Sequence, residues 1–325
     1  MNLRVAVVYG GRSGEHEVSV RSARAIMDAM DPAIYERIEY FIDQEGKWSP
    51  CPIVPEPGGN PGIDVVFPVL HGTFGEDGTV QGLLELADLP YVGAGVLGSA
   101  VSMDKEMMKR VCAERLLPVV DYVTFPRGKA DLAQIKARLP FPVFVKPANL
   151  GSSVGISKAR NEAELAAAIA LAEQYDRKVI VERGIIGREL ECSVLGNEEP
   201  LASLPCEILP SREFYDYDDK YLLDLAATKV PADLPPAKTD ELRCLAVGCY
   251  KAVECEGMGR VDFLLEAATD KLYINEINTI PGFTSISMYP KMWEHSGIGF
   301  AALIDRLIKL ALDRHKRKKA TKFTR

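Results

Sequence analysis

The sequence lacks the features that would place it in a membrane, in an oxidising compartment or around a zinc ion. No apolar run approaches the roughly 18 residues that cross a bilayer, and residues 1–9 lead into a strand without the apolar segment of a secretory signal. The seven cysteines form no C-x-x-C pair, and the spacing of Cys244, Cys249 and Cys255 fits no zinc pattern. We therefore expect buried free thiols and a soluble protein of the reducing cytoplasm, without membrane partners.

A basic surface is missing as well. The 325 residues carry a net charge of −7, and no basic stripe runs through the body of the chain, so nucleic-acid binding gains no support. The one basic cluster, residues 314–319 with Lys322 and Arg325, follows the last predicted helix, and we expect it to be a solvated or disordered tail. The length suits roughly two or three domains.

A hairpin in the last quarter of the chain is the stretch around which the other motifs are organised. Residues 260–266 and 271–278 are rich in β-branched and aromatic residues, and the short segment 267–270 between them predicts a turn. We expect a register in which Glu266 pairs with Leu272.

This register sets two acids against each other. Because side chains alternate faces along a strand, it places Asp262 opposite Glu276 and Arg260 opposite Asn278. Like charges directly opposite destabilise a sheet unless a cation lies between them. Two carboxylates and one amide oxygen suit Mg²⁺, which keeps waters and completes its shell with substrate phosphates. From the hairpin alone, a solvent-facing hairpin with scattered acids remains the alternative.

Two loops in the first third of the chain follow predicted strands. The strand at residues 3–9 ends in the glycine-rich loop 10–19, and open α/β sheets bind ligands at such carboxyl ends. Glu15 in this loop either recognises a substrate amine or stabilises the start of the following helix. The loop 71–82, H-G-T-F-G-E-D-G-T-V-Q-G, contains His71, for which we weigh a substrate contact against a structural role.

Residues 93–98 match the dinucleotide fingerprint G-x-G-x-x-G. That fingerprint should open the first strand–helix unit and be followed by a strand that ends in an acid about 20 residues later. Here the match lies deep in the chain, and a helix that includes residues 103–108 follows it. A dehydrogenase is therefore not favoured.

A candidate phosphate site follows the strand at residues 141–147. This strand ends near Lys146, and the segment 149–155, N-L-G-S-S-V-G, comes next. Small flexible residues expose backbone N–H groups that can fold over phosphates, and Lys146 supplies positive charge. The lysine precedes the glycines, so this is not a Walker loop. A plain hairpin loop is the alternative.

Further along, two acids and a polar aromatic segment are candidates for nucleotide contacts. Glu182 and Glu189 lie on predicted strands and could bind an adenine amine and ribose hydroxyls, although either alone could be an ordinary surface acid. Residues 214–221, F-Y-D-Y-D-D-K-Y, belong to a long segment without periodicity, and such segments are often lids.

Taken in order, these motifs resemble the D-alanine–D-alanine ligase family of the ATP-grasp superfamily. The similarity runs from residue 3 to about residue 312 and depends on the whole set rather than on one motif. The resemblance implies an α/β and α+β chain: an ATP-grasp fold with an N-terminal open parallel-sheet, Rossmann-like domain. It divides the chain into an open-sheet substrate domain (1–103), a central subdomain with the phosphate loop (104–185) and a C-terminal subdomain with hairpin, lid and basic tail (186–325).

The same resemblance assigns site residues. The residues implied to bind ATP are Lys105, Lys146, Gly151, Ser152, Ser153, Glu182, Glu189 and Lys220. Those implied to act in catalysis are Glu15, Ser152, Tyr221 and Arg260. Those implied to contact D-alanine are Glu15, His71, Arg260, Gly282, Ser287 and Met288. Those implied to bind two Mg²⁺ ions, with Mn²⁺ as an alternative, are Asp262, Glu276 and Asn278.

The implied reaction is the ATP-dependent ligation of two D-alanines through an acyl phosphate, for peptidoglycan precursor synthesis, by a homodimer. A D-alanine–D-lactate or D-alanine–D-serine ligase is the alternative within this fold. Tyr221 favours the dipeptide, because the lid tyrosine is typically replaced in resistance-associated relatives, while Met288 stands where many relatives have leucine. A nonenzymatic nucleotide sensor is a further alternative, against which the complete metal and arginine set argues.

Overall fold

The structure is a computed structural model, and it describes residues 2–151, 154–209, 227–284 and 286–322. The strands are β1 Leu3–Gly10, β2 Tyr35–Ile42, β3 Trp48–Ser49, β4 Val65–Val69, β5 Tyr122–Pro126, β6 Val143–Pro147, β7 Ser157–Ala159, β8 Lys178–Arg183, β9 Gly187–Gly196, β10 Leu201–Ala202, β11 Cys206–Leu209, β12 Ala227–Lys229, β13 Gly257–Glu266 and β14 Leu272–Asn278. The helices are α1 His16–Ala29, α2 Thr79–Leu86, α3 Val96–Met103, α4 Lys105–Glu114, α5 Leu132–Arg138, α6 Glu162–Tyr175, α7 Pro236–Ala252, α8 Met288–His295 and α9 Phe300–Lys319.

The N-terminal sheet has the strand order β3-β2-β1-β4, and β1 pairs in parallel with both β2 and β4. Residues 5–8 in the middle of β1 are completely buried, because helices cover the sheet and apolar side chains on both faces are removed from water. The predicted open parallel sheet is therefore confirmed. Its carboxyl edge carries the loop with Glu15 after β1 and the loop with His71 after β4.

Two antiparallel sheets make up the rest of the fold. One has the order β5-β8-β6-β7, and the other has the order β12-β11-β9-β13-β14, with β10 paired to β9. Helix α6 packs on the first of these sheets, and α7 packs on the second. Helix α4 buries Met108 and Cys112 in the core that it shares with α7, and its Glu106 accepts a hydrogen bond from Thr124 of β5, so it contacts both sheets. The division of the chain at residues 103/104 and 185/186 stays a prediction.

The hairpin of β13 and β14 has the predicted acid pairing but not the predicted turn register. Asp262 pairs with Glu276 and Arg260 with Asn278, as expected. Leu272 pairs with Leu265 rather than Glu266, and the register shifts after Asp262, where Asn275 is the extra residue of a β-bulge. The prediction was wrong at the turn because a two-residue period carries no signal for an inserted residue.

The C-terminal basic run is not a loose tail. Helix α9 continues to Lys319, and its apolar face packs into the core of the N-terminal sheet. Ion pairs join Arg317 to Glu198 and Glu256, Lys318 to Glu85, and Lys319 to Asp88. These acids lie far away in sequence, so the expectation of a solvated or disordered tail was wrong for residues up to Lys319.

All seven thiols are free, and five of them are buried as predicted. Cys51 and Cys244 are exposed instead: Cys51 lies in the irregular segment after β3, and Cys244 is not on the face of α7 that buries Leu242 and Ala246. Among the residues that the structure describes, no helix is long and apolar enough to cross a membrane.

Candidate functional site: a charged cleft between the two antiparallel sheets

A cleft of about 570 Å³ lies between the two antiparallel sheets and collects most of the predicted nucleotide residues. Five of these residues line it: Lys105, Lys146, Gly151, Glu182 and Glu189. Its apolar walls come from both sheets and from the connection between β8 and β9: Phe144, Ile185, Ile186, Ile208, Leu209 and Leu264. A cleft that combines apolar walls with charged groups suits a ligand with a flat ring and an anionic tail.

Glu182 lies between two buried ammonium groups. Its carboxylate is 2.6 Å from Lys146 Nζ and 2.9 Å from Lys109 Nζ, and the residue is 2% exposed. Burial alone would raise the pKa of this carboxyl, but the two ammonium groups outweigh burial and lower the pKa of Glu182 to about 2. Glu182 is therefore an anion that only accepts hydrogen bonds at neutral pH.

The bulge at Asn275 brings two neighbouring side chains to the cleft. In a regular strand Asn275 and Glu276 would point to opposite faces. Here Asn275 Oδ1 accepts a bond of 3.2 Å from Lys146, while Glu276 lies 3.2 Å from Lys105 Nζ. Lys105 also donates to the carbonyl of Leu150 at 2.8 Å, which ties the start of the phosphate loop to α4. Charged groups from three elements thus meet at one end of the cleft.

The acid pair on the hairpin is neutralised by cations of the protein. Arg260 binds both oxygens of Asp262 at 2.7 Å and lies 3.3 Å from Glu191. The amide of Asn278 donates to Asp262 at 3.1 Å. These contacts gather the predicted metal residues around the strand pair β13 and β14.

Asp262, Glu276 and Asn278 can supply only part of the coordination shell of a Mg²⁺ ion. Within the described ranges, no three side chains from histidine, cysteine, aspartate and glutamate surround a common point. Two carboxylates and an amide oxygen are hard donors, and Mg²⁺ accepts such a small set because it fills its remaining positions with water and phosphate oxygens. An ion at Asp262 and Glu276 would take over the charge neutralisation that Arg260 and Lys105 now provide.

The carboxylate of Glu15 lies where the two glycine-rich loops approach each other. A Cβ on Gly72 would come within 2.6 Å of Glu15 Oε2, and one on Gly151 would come within 3.3 Å. Gly72 also has a φ of +72°, so a side chain there would be strained as well as obstructed. The structure therefore places Gly72 of the His71 loop and Gly151 of the phosphate loop close to the predicted amine-binding acid.

The His71 loop holds the segment after the hairpin. His71 is 3% exposed, and its Nδ1 is 2.8 Å from the carbonyl of Ile280, while Nε2 is 3.3 Å from Ser22 Oγ. Glu76 accepts the N–H of Ile280 at 2.9 Å and that of Gly72 at 2.8 Å. The backbone N–H and C=O of Ile280 are thus both held by this loop, which describes a positioning role for His71. The contact of His71 with substrate stays a prediction.

Burial is the main cause of the pKa shifts of His71 and Glu76. Burial lowers the pKa of His71, so the imidazole is neutral near pH 7. Burial, followed by the nearby charge of Glu15, raises the pKa of Glu76 to about 8.

The predicted second-substrate residues lie at the start of α8. Ser287 precedes the first helical residue, and its hydroxyl is 2.8 Å from Thr284 Oγ1 and accepts the N–H of Thr284 at 3.0 Å. The backbone of Gly282 lies close to the Ser287 side chain, because a Cβ on Gly282 would be 3.1 Å from Ser287 Oγ. Met288 packs against Cys206, whose thiol lies 3.5 Å from the Met288 sulfur. A helix start with hydroxyl groups suits a carboxylate.

Four predicted residues, Ser152, Ser153, Lys220 and Tyr221, lie outside the described residues, as does the lid segment 214–221. Conversely, the sequence interpretation missed three residues that the structure brings to the site: Glu76, Lys109 and Asn275. Lys109 follows Lys105 by one helical turn and shares its face, and Glu76 lies inside the His71 motif, so both had a signal. Asn275 had none, because the bulge decides its direction.

Comparison with known proteins adds the family. A sequence model described as "D-ala D-ala ligase C-terminus" matches residues 111–309, and one described as "D-ala D-ala ligase N-terminus" matches residues 4–57 and 55–94. A curated D-alanine–D-alanine ligase of Solibacter usitatus is 76% identical over the full length of both chains. A ligase of the same name from a Thermoanaerobacter species is 49% identical and is matched over 97% of this chain and 98% of its own.

Solved structures agree with the sequence matches. The D-alanine–D-alanine ligase of Coxiella burnetii superposes with a TM-score of 0.88 at 40% identity, over 98% of this chain and 96% of that one. The VanG D-Ala:D-Ser ligase of Enterococcus faecalis superposes with a TM-score of 0.87 at 36% identity, over 96% of this chain and all of that one.

Proposed function

The chain belongs to the D-alanine–D-alanine ligase family, and we propose that the charged cleft and the hairpin beside it carry out the reaction of that family. The protein is an ATP-dependent ligase that joins two D-alanines, as expected from the sequence. The assignment of individual residues to steps of this reaction is the proposal.

The nucleotide is placed in the cleft. Lys105 and Lys146 attract its phosphates, and the loop at Gly151 covers them with backbone N–H groups. The apolar walls enclose the adenine ring. Glu182 is ionised and accepts hydrogen bonds only, which suits the adenine amine, and Glu189 on β9 accepts from the ribose hydroxyls.

Two Mg²⁺ ions, or Mn²⁺ in their place, are assigned to Asp262, Glu276 and Asn278. When bound, such ions neutralise the charge that builds on the phosphate oxygens during transfer. Arg260 and Lys105 pair with Asp262 and Glu276 in this structure. With metal ions on these carboxylates, the two cations would be available to phosphate and carboxylate oxygens of the substrates.

The two alanines are assigned to opposite sides of the hairpin end. Glu15 pairs with the ammonium of the first D-alanine, with neutral His71 fixing the wall behind it. Gly282 and Ser287, at the start of α8, meet the carboxylate of the second D-alanine, and Met288 borders its methyl group.

The chemistry follows from these positions. The carboxylate of the first D-alanine attacks the γ-phosphorus of ATP, so that an acyl phosphate forms and ADP leaves. The amine of the second D-alanine attacks the acyl carbon, loses a proton and displaces inorganic phosphate. Both steps concentrate negative charge beside Arg260, Lys105 and Lys146, and these preorganised cations lower the barrier by electrostatic stabilisation.

The observation that carries this assignment is the pairing of Asp262 with Glu276 at the end of a cleft that also holds Lys105, Lys146 and Glu182. A sensor that only bound nucleotide would have no use for opposed acids together with Arg260. The test is phosphate release from ATP and Mg²⁺ with D-alanine, D-lactate and D-serine offered in turn as second substrate. Release with D-alanine alone, together with dipeptide, is expected; no D-alanine-dependent release by folded, ATP-binding protein would refute the proposal.

D-Serine is included because one structural neighbour is a D-Ala:D-Ser ligase. The curated relatives at 76% and 49% identity both act, by name, on D-alanine alone, so D-lactate and D-serine are not favoured. We further propose a cytoplasmic homodimer with three subdomains, a phosphate loop in which Ser153 contacts ATP, and a lid at residues 214–221 that includes Lys220 and Tyr221. Ser152 and Tyr221 would join Glu15 in closing this lid. Sedimentation of the purified protein tests the dimer.

A further inference from the structure

Lys109 is a lysine without exposed surface inside the walls of the cleft. It lies one helical turn after Lys105 on α4 and is 0% exposed. Its Nζ is 2.9 Å from Glu182 and donates to the backbone carbonyl of Asn275 at 3.3 Å. Burial lowers the pKa of Lys109, because an ammonium group loses its hydration inside the protein. A buried charge of this kind is costly, so the groups that it contacts indicate what it does.

The carbonyl that Lys109 binds belongs to the bulge residue. The inserted Asn275 turns its own side chain toward Lys146 and lets Glu276 point toward Lys105. Bulges re-aim side chains next to active sites, and the extra residue of a bulge leaves the regular ladder of backbone bonds. A donor from outside the sheet is therefore suited to fix its geometry.

Lys109 reaches a second group of the cleft at the same time. Glu182, which it contacts from the helix side, pairs with Lys146 on the other side. One ammonium group thus connects α4 to β8 and to β14. Loss of Lys109 would remove one of the two ammonium groups that hold the acid proposed for adenine, and with it a contact to the strand that carries the proposed metal ligand.

We propose that Lys109 is a positioning residue of the ligase: it holds the bulge at Asn275 and the carboxylate of Glu182, and through them it sets the direction of Glu276 toward the metal. This inference rests on the function proposed above. A lysine that merely balanced the charge of Glu182 would act on stability without any effect on Mg²⁺ dependence.

The test compares Lys109→Met, which keeps the length without the charge or donor, with Lys109→Gln, which keeps an N–H donor without the charge. Arg110→Met is the matched control, because Arg110 is the next residue of the same helix and its side chain is 60% exposed. For each protein, the Mg²⁺ concentration at half-maximal D-alanine-dependent phosphate release is measured with saturating ATP. In parallel, the melting temperature is recorded against Mg²⁺ with a nonhydrolysable ATP analogue.

For Lys109→Met we expect the Mg²⁺ midpoint to rise about tenfold or more in both measurements, for Lys109→Gln a smaller rise, and for Arg110→Met no change. An unchanged midpoint in folded Lys109→Met would overturn the inference, and so would equal shifts in Met and Gln variants. If the Met variant does not fold, an unchanged midpoint in Lys109→Gln has the same meaning. Loss of phosphate release in the unsubstituted protein would refute the proposed function instead, and the melting measurement would still decide the role of Lys109.

Discussion

Replacing Glu182 by glutamine tests the electrostatics at the centre of the cleft. The substitution keeps the shape of the side chain but removes the negative charge that lies between Lys109 and Lys146. Both ammonium groups are buried, so the variant must hold them away from water without the carboxylate that each of them contacts. Removal of one partner from a buried ionic cluster is strongly destabilising for this reason.

The magnitude follows from the pKa of the carboxyl. Its fall from 4.5 to about 2 in the folded protein corresponds to about 3 kcal/mol, at about 1.4 kcal/mol per pKa unit. Because the folded pKa is the lower one, this stabilisation is complete above the unfolded pKa of 4.5 and is lost as the pH falls toward about 2. Glutamine, which does not titrate, removes this pH dependence.

Urea unfolding of the two proteins measures the effect. We expect Glu182→Gln to lower the free energy of unfolding by about 3 kcal/mol at pH 7, and the difference to shrink to about 2 kcal/mol at pH 3.5. Glu114→Gln serves as the control, because Glu114 is an exposed acid on α4, and it should change little at either pH. A difference at pH 7 below about 1 kcal/mol, or one that grows on acidification, would refute the argument.

Two further predictions concern the hairpin and the C-terminal helix. Glu276→Gln should reduce turnover about 10²- to 10³-fold and leave the fold intact, because it removes one of the opposed carboxylates. Steady-state kinetics measure the turnover, and circular dichroism checks the fold. Near-normal turnover would remove Glu276 from the metal site. Arg314→Ala should lower the free energy of unfolding by about 1–3 kcal/mol, because the guanidinium binds the carbonyls of Tyr91 and Gly93 and lies 4.2 Å from the Tyr91 ring. Lys316→Ala is the control, because Lys316 is an exposed residue two positions further along α9. If urea unfolding gave the same free energy of unfolding for both variants, the prediction would be contradicted.

The hairpin shows how far the sequence could predict the site. Alternation and composition correctly placed Asp262 against Glu276, but the turn register from which this was argued was wrong by one residue. With the observed turn and a regular strand, Asp262 would face Asn275. The bulge restores the predicted acid pair, and neither glycine nor proline marks it in the sequence.

Contacts between distant segments account for most of the remaining differences. The basic run of α9 is indistinguishable from a solvated tail in sequence, because its partners Glu85, Asp88 and Glu198 lie more than a hundred residues away. Local chemistry was sufficient to bring Lys146 to the cleft, where strand, loop and charge occur together in the sequence. It was insufficient for Lys109, whose role depends on β8 and β14 meeting at α4.

The most direct test of the ligase mechanism uses D-alanine with both carboxylate oxygens replaced by ¹⁸O. The carboxylate of the first D-alanine attacks ATP, and the acyl carbon is later released from the phosphate oxygen, so one labelled oxygen must pass to inorganic phosphate. Mass spectrometry of the phosphate should therefore show one ¹⁸O atom for each dipeptide formed. Unlabelled phosphate accompanying labelled dipeptide would contradict the acyl phosphate and, with it, the assignment of the cleft.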